Sequence, residues 1–77
     1  MSRLLQRIHE RIEAGGPVER ARLCGAIGRS ERTLLRWLKD GIPTTHDAVT
    51  LAKAVGVESD EEALALARED SQAKRAG

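Results

Sequence analysis

The stretch Leu23-Cys-Gly-Ala-Ile-Gly28-Arg-Ser-Glu-Arg-Thr-Leu-Leu-Arg-Trp-Leu-Lys39 decides the fold. Gly28 stands between two runs that carry apolar residues at helical spacing: Leu23, Cys24 and Ile27 before it, Leu34, Trp37 and Leu38 after it. A corner this tight usually requires positive φ, which a Cβ disfavours, so glycine is the residue expected there. Ser30 is a natural N-cap, which starts the second run two residues beyond the glycine. A linker of three or four residues does not let two helices lie comfortably antiparallel, so they cross steeply as a helix-turn-helix. With Leu34 and Trp37 turned to the corner, Ser30, Glu31, Arg32, Leu35, Arg36 and Lys39 face outward. Trp37 reads as core rather than as a base-stacking aromatic, because it shares a face with Leu34 and Leu38.

The flanking sequence divides in the same way. Ser2 caps a first helix with Leu4, Leu5, Ile8 and Ile12 on one face, and Gly15-Gly16 stops it. Pro17 opens a second helix, to about Ala26, where its missing N–H costs nothing; Val18, Ala21, Leu23, Cys24 and Ile27 form its apolar side. The third helix runs from Ser30 to near Lys39, with Gly41 and Pro43 beyond it. Thr44 with Asp47 resembles a capping box for a fourth helix, whose apolar face is Ala48, Leu51, Ala52 and Val55 before the stop at Gly56. Ser59 with Glu62 opens a fifth, with Ala63, Leu64, Leu66 and Ala67 as its apolar positions. The expectation is one all-α domain over residues 1–69 and a polar, disordered tail over 70–77.

Composition agrees. The 77 residues are 40% hydrophobic and 32% charged, with Trp37 the one aromatic, which favours packed helices over a β-sandwich. No apolar run exceeds Ala63–Ala67, so no segment has the length of a membrane span, and the N-terminus lacks the apolar stretch of a signal peptide. The single Cys24 excludes an internal disulfide and fits a reducing compartment; the cytoplasm is the expected location. His9 and His46 are too scattered to make a metal site with it, and no cofactor is expected. No nucleophile–base spacing, phosphate loop or metal-ligand cluster marks an enzyme.

Net charge is +1, but it is unevenly distributed. Residues 1–39 hold nine basic and four acidic groups, a surplus of five positive charges, and residues 40–77 hold four basic and eight acidic, a surplus of four negative. Most of the positive charge is arginine, the side chain suited to phosphate and guanine. Arg3, Arg7 and Arg11 recur every four residues and read as a solvated helix face.

The stretch Arg20–Lys39 resembles the helix-turn-helix of the phage lambda repressor and Cro family. Leu23, Cys24, Ile27, Gly28, Leu34 and Trp37 stand at the family's recurring offsets, and Gly41–Pro43 and Asp47–Val57 resemble its fourth helix and the approach to its fifth. The likeness covers residues 3–68. Cys24 replaces the usual alanine, and Gly25 lies within the second helix, where it costs roughly 0.5–1 kcal/mol relative to alanine. The resemblance implies a five-helix lambda repressor-like DNA-binding domain in a bacterial or phage-infected cell. It further implies a sequence-specific double-stranded-DNA regulator that occupies a palindromic operator as a homodimer. Neither a membrane nor a small-molecule ligand is expected as a partner.

Carried over residue by residue, Glu31, Arg32, Leu35, Arg36 and Lys39 are the base-contacting candidates. Arg32 or Arg36 is suited to guanine O6/N7, and Leu35 to a thymine methyl. Glu31 either accepts from cytosine N4 or answers the helix dipole. Arg20, Arg29 and Ser30 are phosphate candidates, as are Thr44, Thr45 and His46 at the start of the fourth helix, where free N–H groups favour an anion. Val55, Ala63, Leu64, Leu66 and Ala67 are the expected dimer surface. Two other readings stand beside this one: a protein-interaction module (an antirepressor or adaptor), and an excisionase-like winged helix, which needs a β-wing after Pro43.

Overall fold

A computed structural model describes residues 2–76, with side chains described through residue 71. Those residues form four helical elements and no strand: α1 (Arg3–Ile27), α2 (Glu31–Asp40), α3 (Thr45–Ala54) and α4 (Asp60–Ala76). The stretch after Pro43, where a winged helix would need its wing, is α3. No described helix is long and apolar enough to cross a membrane.

Local chemistry fixes each start. The Ser2 hydroxyl accepts the Leu5 N–H at 3.2 Å, Ser30 that of Thr33 at 3.3 Å, Thr44 that of Asp47 at 3.1 Å, and Ser59 that of Glu62 at 3.4 Å. Each hydroxyl thus satisfies one amide that the helix itself leaves without a partner.

The first two expected helices run together as α1. Its hydrogen bonding continues past the Gly15-Gly16-Pro17 break, but Gly16 lies at φ 63°, ψ −150°, outside helical geometry. The element is therefore two helical arms, residues 3–15 and 17–27, bent at Gly16. Pro17 has no N–H, so that position makes no backbone hydrogen bond back across the bend. The second arm ends at Gly28, φ 66° and ψ 30°, in the left-handed conformation expected at the corner. The N–H groups of Gly28 and Arg29 both reach the Cys24 carbonyl.

α3 and α4 share the most extensive packing, α1 lies across both, and α2 packs against α1 alone. Leu4, Ile8, Leu23, Leu34 and Leu51 are the largest fully buried side chains, and Trp37 and Leu38 join them in the core. The apolar face expected of α3, Ala48, Leu51, Ala52 and Val55, is buried throughout. On the second arm of α1 only Leu23 is buried, with Cys24 and Ile27 half-buried; Val18 and Ala21, expected on its apolar side, face solvent.

Two expectations are corrected. Val55, Ala63, Leu66 and Ala67, expected to meet a second chain, are 6, 0, 3 and 1% exposed and fill the core of the single chain. The small body needs the whole inner face of α4, and of the five only Leu64 stays half-buried. The tail was expected to be disordered from residue 70, yet α4 continues through Ala76; Gly77 lies outside the described residues. Asp70 is 4% exposed and accepts the Ser2 hydroxyl proton at 2.6 Å, while Arg3 pairs with Glu69 at 2.6 Å. A hydroxyl–carboxylate contact thus holds Asp70, the first residue of that segment, next to the ion pair at Glu69.

Candidate nucleic-acid interface

The left-handed turn at Gly28 sends α2 away from the second arm of α1, and the Ser30 cap sets where it begins. Successive residues rotate by about 100° around a helix, so Glu31, Arg32, Leu35, Arg36 and Lys39 fall within an arc of about 140°. Leu34, Trp37 and Leu38 take the other side. All five outward residues are exposed, including Leu35 at 44%. Leu35 is thus one of two large hydrophobic side chains exposed among the described residues, with Val18 the other.

Of the nine cations in residues 1–39, four are in ion pairs: Arg3 with Glu69, Arg7 with Glu62, Arg20 with Glu31 and Arg22 with Glu19. Arg11 donates to the Val55 carbonyl at 3.3 and 3.2 Å. The remaining four are Arg29, Arg32, Arg36 and Lys39; all are exposed, and none forms an ion pair among the described residues. The positive surplus that sequence spreads over the whole first half is concentrated by the fold on α2 and the corner before it.

Arg3, Arg7 and Arg11 are solvated as expected, yet they also dock the first arm onto α3 and α4. Glu62 and Glu69, seven residues apart and so on one face of α4, were the sequence signal for that match. Arg11 and Arg22 reach the C-terminal end of α3 from the two arms of α1, at the carbonyls of Val55 and Ala54. They satisfy acceptors the helix leaves open and answer its negative end.

The phosphate candidates divide. Arg29 is free and exposed, whereas Arg20 is half-buried with its guanidinium 3.1 Å from the Glu31 carboxylate. The same contact gives Glu31 a partner inside the chain, a role sequence alone did not reveal. The Ser30 hydroxyl is occupied as a cap and lies 3.2 Å from the Thr33 hydroxyl. Thr44 accepts from Asp47 N–H and donates to the Asp47 carboxylate at 2.8 Å, so an acid already stands at the start of α3. Thr45 and His46 remain exposed beside it.

Cys24, under the corner, is half-buried. Burial pushes its thiol pKa up, the Glu31 carboxylate adds to the rise, and Arg20 offsets part of it. The group stays a protonated, unreactive filler. No family model matches the sequence, and no curated protein or solved structure matches it significantly.

Proposed function

We propose that the chain is a sequence-specific double-stranded-DNA-binding transcription regulator of the lambda repressor and Cro type. In this reading the two arms of α1 with α2, α3 and α4 correspond to that family's five helices. The second arm and α2 form the helix-turn-helix, and α2 enters the major groove, which admits an α-helix. The observation that carries the reading is that, among the described residues, every cation of residues 1–39 without an ion-pair or hydrogen-bond partner lies between Arg29 and Lys39. Arg32 and Arg36 are the base readers suited to guanine, Leu35 meets a thymine methyl, and Lys39 reaches further along the groove. Arg29 holds phosphate beside the Ser30 cap, and Thr45 and His46 offer further phosphate contacts at the start of α3, which Thr44 caps. Glu31 serves the helix dipole and Arg20 rather than cytosine.

One such module covers little DNA, so affinity comes from two copies on a palindromic site with half-sites about one helical turn apart. Bound across a promoter, the pair excludes polymerase. Selection of bound sequences from random duplex DNA at several salt concentrations tests this. The expected result is a palindromic preference whose affinity falls steeply with salt. A pool that stays random while the protein binds another protein through the same face would instead assign it to an interaction module.

A further inference from the structure

We propose that the cavity between the link into α3 and the second half of α4 binds a small primary amine with a short aliphatic body, whose ammonium group pairs with Asp70. The sequence announces no such ligand. The inference goes beyond the DNA-binding reading and does not rest on it, because no residue of α2 lines the site.

The cavity holds about 400 Å³, within the roughly 300–1,000 Å³ of small-molecule sites. Ile42, Pro43, Ala48 and Ala67 are its apolar walls. Ala48 and Ala67 are 2 and 1% exposed, and their single methyl groups leave space that longer side chains would fill. Such walls suit an aliphatic group, which gains by leaving water. Thr45 and Ser71 add hydroxyl-bearing side chains to the lining.

Asp70 supplies the charge. It lines the cavity, yet it is only 4% exposed. Its Oδ1 accepts the Ser2 hydroxyl proton at 2.6 Å. Among the described residues no other side chain donates to the carboxylate, and no cation pairs with it. Taking a carboxylate out of water is costly unless a cation and further hydrogen bonds replace the solvent. Asp70 fills one of about four acceptor positions and has no counter-charge. An ammonium group supplies both missing parts, a positive charge and three N–H donors. Thr44, also in the lining, donates to a second acid, Asp47, and no basic side chain lines the cavity among the described residues. An anion would therefore meet like charge without compensation, which selects against it. Since α2 packs against α1 alone, an amine held here ties the segment leaving α2 to α4.

Two-dimensional NMR titration of the full chain without DNA tests the site. The probe is 3-methylbutylamine, with 3-methylbutan-1-ol and 3-methylbutanoate as uncharged and anionic counterparts of similar shape. The amine is expected to saturate at about millimolar concentration, the range for a ligand of this size, with its largest amide shifts at Thr45, Ala48, Ala67 and Ser71. The alcohol is expected to bind at least about tenfold more weakly and the carboxylate not to bind, because a charge-assisted hydrogen bond outweighs a neutral one. Asp70→Asn keeps an oxygen for the Ser2 hydroxyl but removes the charge, and is expected to lower amine affinity to the level of the alcohol. Circular dichroism verifies that the variant keeps its helices, and the comparison of amine with alcohol is made on wild type alone. Amine shifts that do not saturate below about 0.1 M overturn the proposal. So do equal binding of amine and alcohol, shifts centred on the acidic first turn of α4, and a folded Asp70→Asn protein that binds the amine like wild type. None of these results bears on the DNA-binding reading, which keeps its own test.

Discussion

The guanidinium of Arg20 and the carboxylate of Glu31 stand 3.1 Å apart across the corner at Gly28, joining the second arm of α1 to the first turn of α2. Both side chains are partly exposed, at 32 and 52%, so the pair contributes about 0.2–1 kcal/mol, as measured for solvent-exposed pairs. A double-mutant cycle with Arg20→Met and Glu31→Gln, followed by denaturant unfolding, is expected to return a coupling in that range. On DNA, Glu31→Gln removes a negative charge and is expected to tighten binding to all sequences without altering base preference. A lost cytosine preference at one position would return Glu31 to the base readers.

Gly25 and Gly28 lie three residues apart and are expected to respond oppositely to alanine. A Cβ at Gly25 meets nothing within 4 Å, and the residue lies inside a helical arm. Gly25→Ala is therefore expected to stabilise the protein by about 0.5–1 kcal/mol. Gly28 also has open space around it, but its φ is +66°, so Gly28→Ala is expected to cost about 1–2 kcal/mol from backbone strain alone. Thermal denaturation of both variants checks the pair of signs.

Arg29 and Arg36 are expected to fail in different ways. Replacing Arg29 with alanine weakens binding about equally for all sequences and lowers the salt slope by about one. Replacing Arg36 with alanine relaxes preference at a single guanine, costing about 1–3 kcal/mol there. Titrations of selected and shuffled duplexes at several salt concentrations distinguish the two.

Acid is expected to loosen α4 from α1. The hydrogen bond from Arg3, reinforced by its charge, holds the Glu69 carboxyl below the usual range, and Arg22 does the same to Glu19. A carboxyl with a depressed folded pKa stabilises above its unfolded value, and that contribution is lost as pH falls through the folded one. Thermal stability is thus expected to fall as pH drops below the ordinary glutamate range, and Glu69→Gln is expected to flatten part of that fall. A scan from pH 7 to about pH 3 measures the difference, spanning the usual carboxyl range.

Elements that depend on local chemistry were legible in the sequence. Ser2, Ser30, Thr44 and Ser59 each cap a helix, Gly28 takes positive φ, and Leu34, Trp37 and Leu38 share a buried face. Relations between distant residues were not. The inner face of α4 looked too broad for one small body because the contribution of Ala63, Leu66 and Ala67, with Val55 at the end of α3, to the core depends on how α4 lies against α1 and α3. Asp70 looked solvated because its partner, Ser2, lies at the opposite end of the sequence. The concentration of unpaired cations on α2 was half-legible: counting charges located the surplus, but only the fold shows which arginines it already uses.

The bond from Ser2 to Asp70 spans 68 positions, so the first turn of α1 waits for residue 70 to be made. On a ribosome, the opening helix emerges early and remains without its fastening until residue 70 has cleared the exit tunnel. The nascent chain therefore has no finished intermediate in which the opening segment is locked and the closing helix is missing.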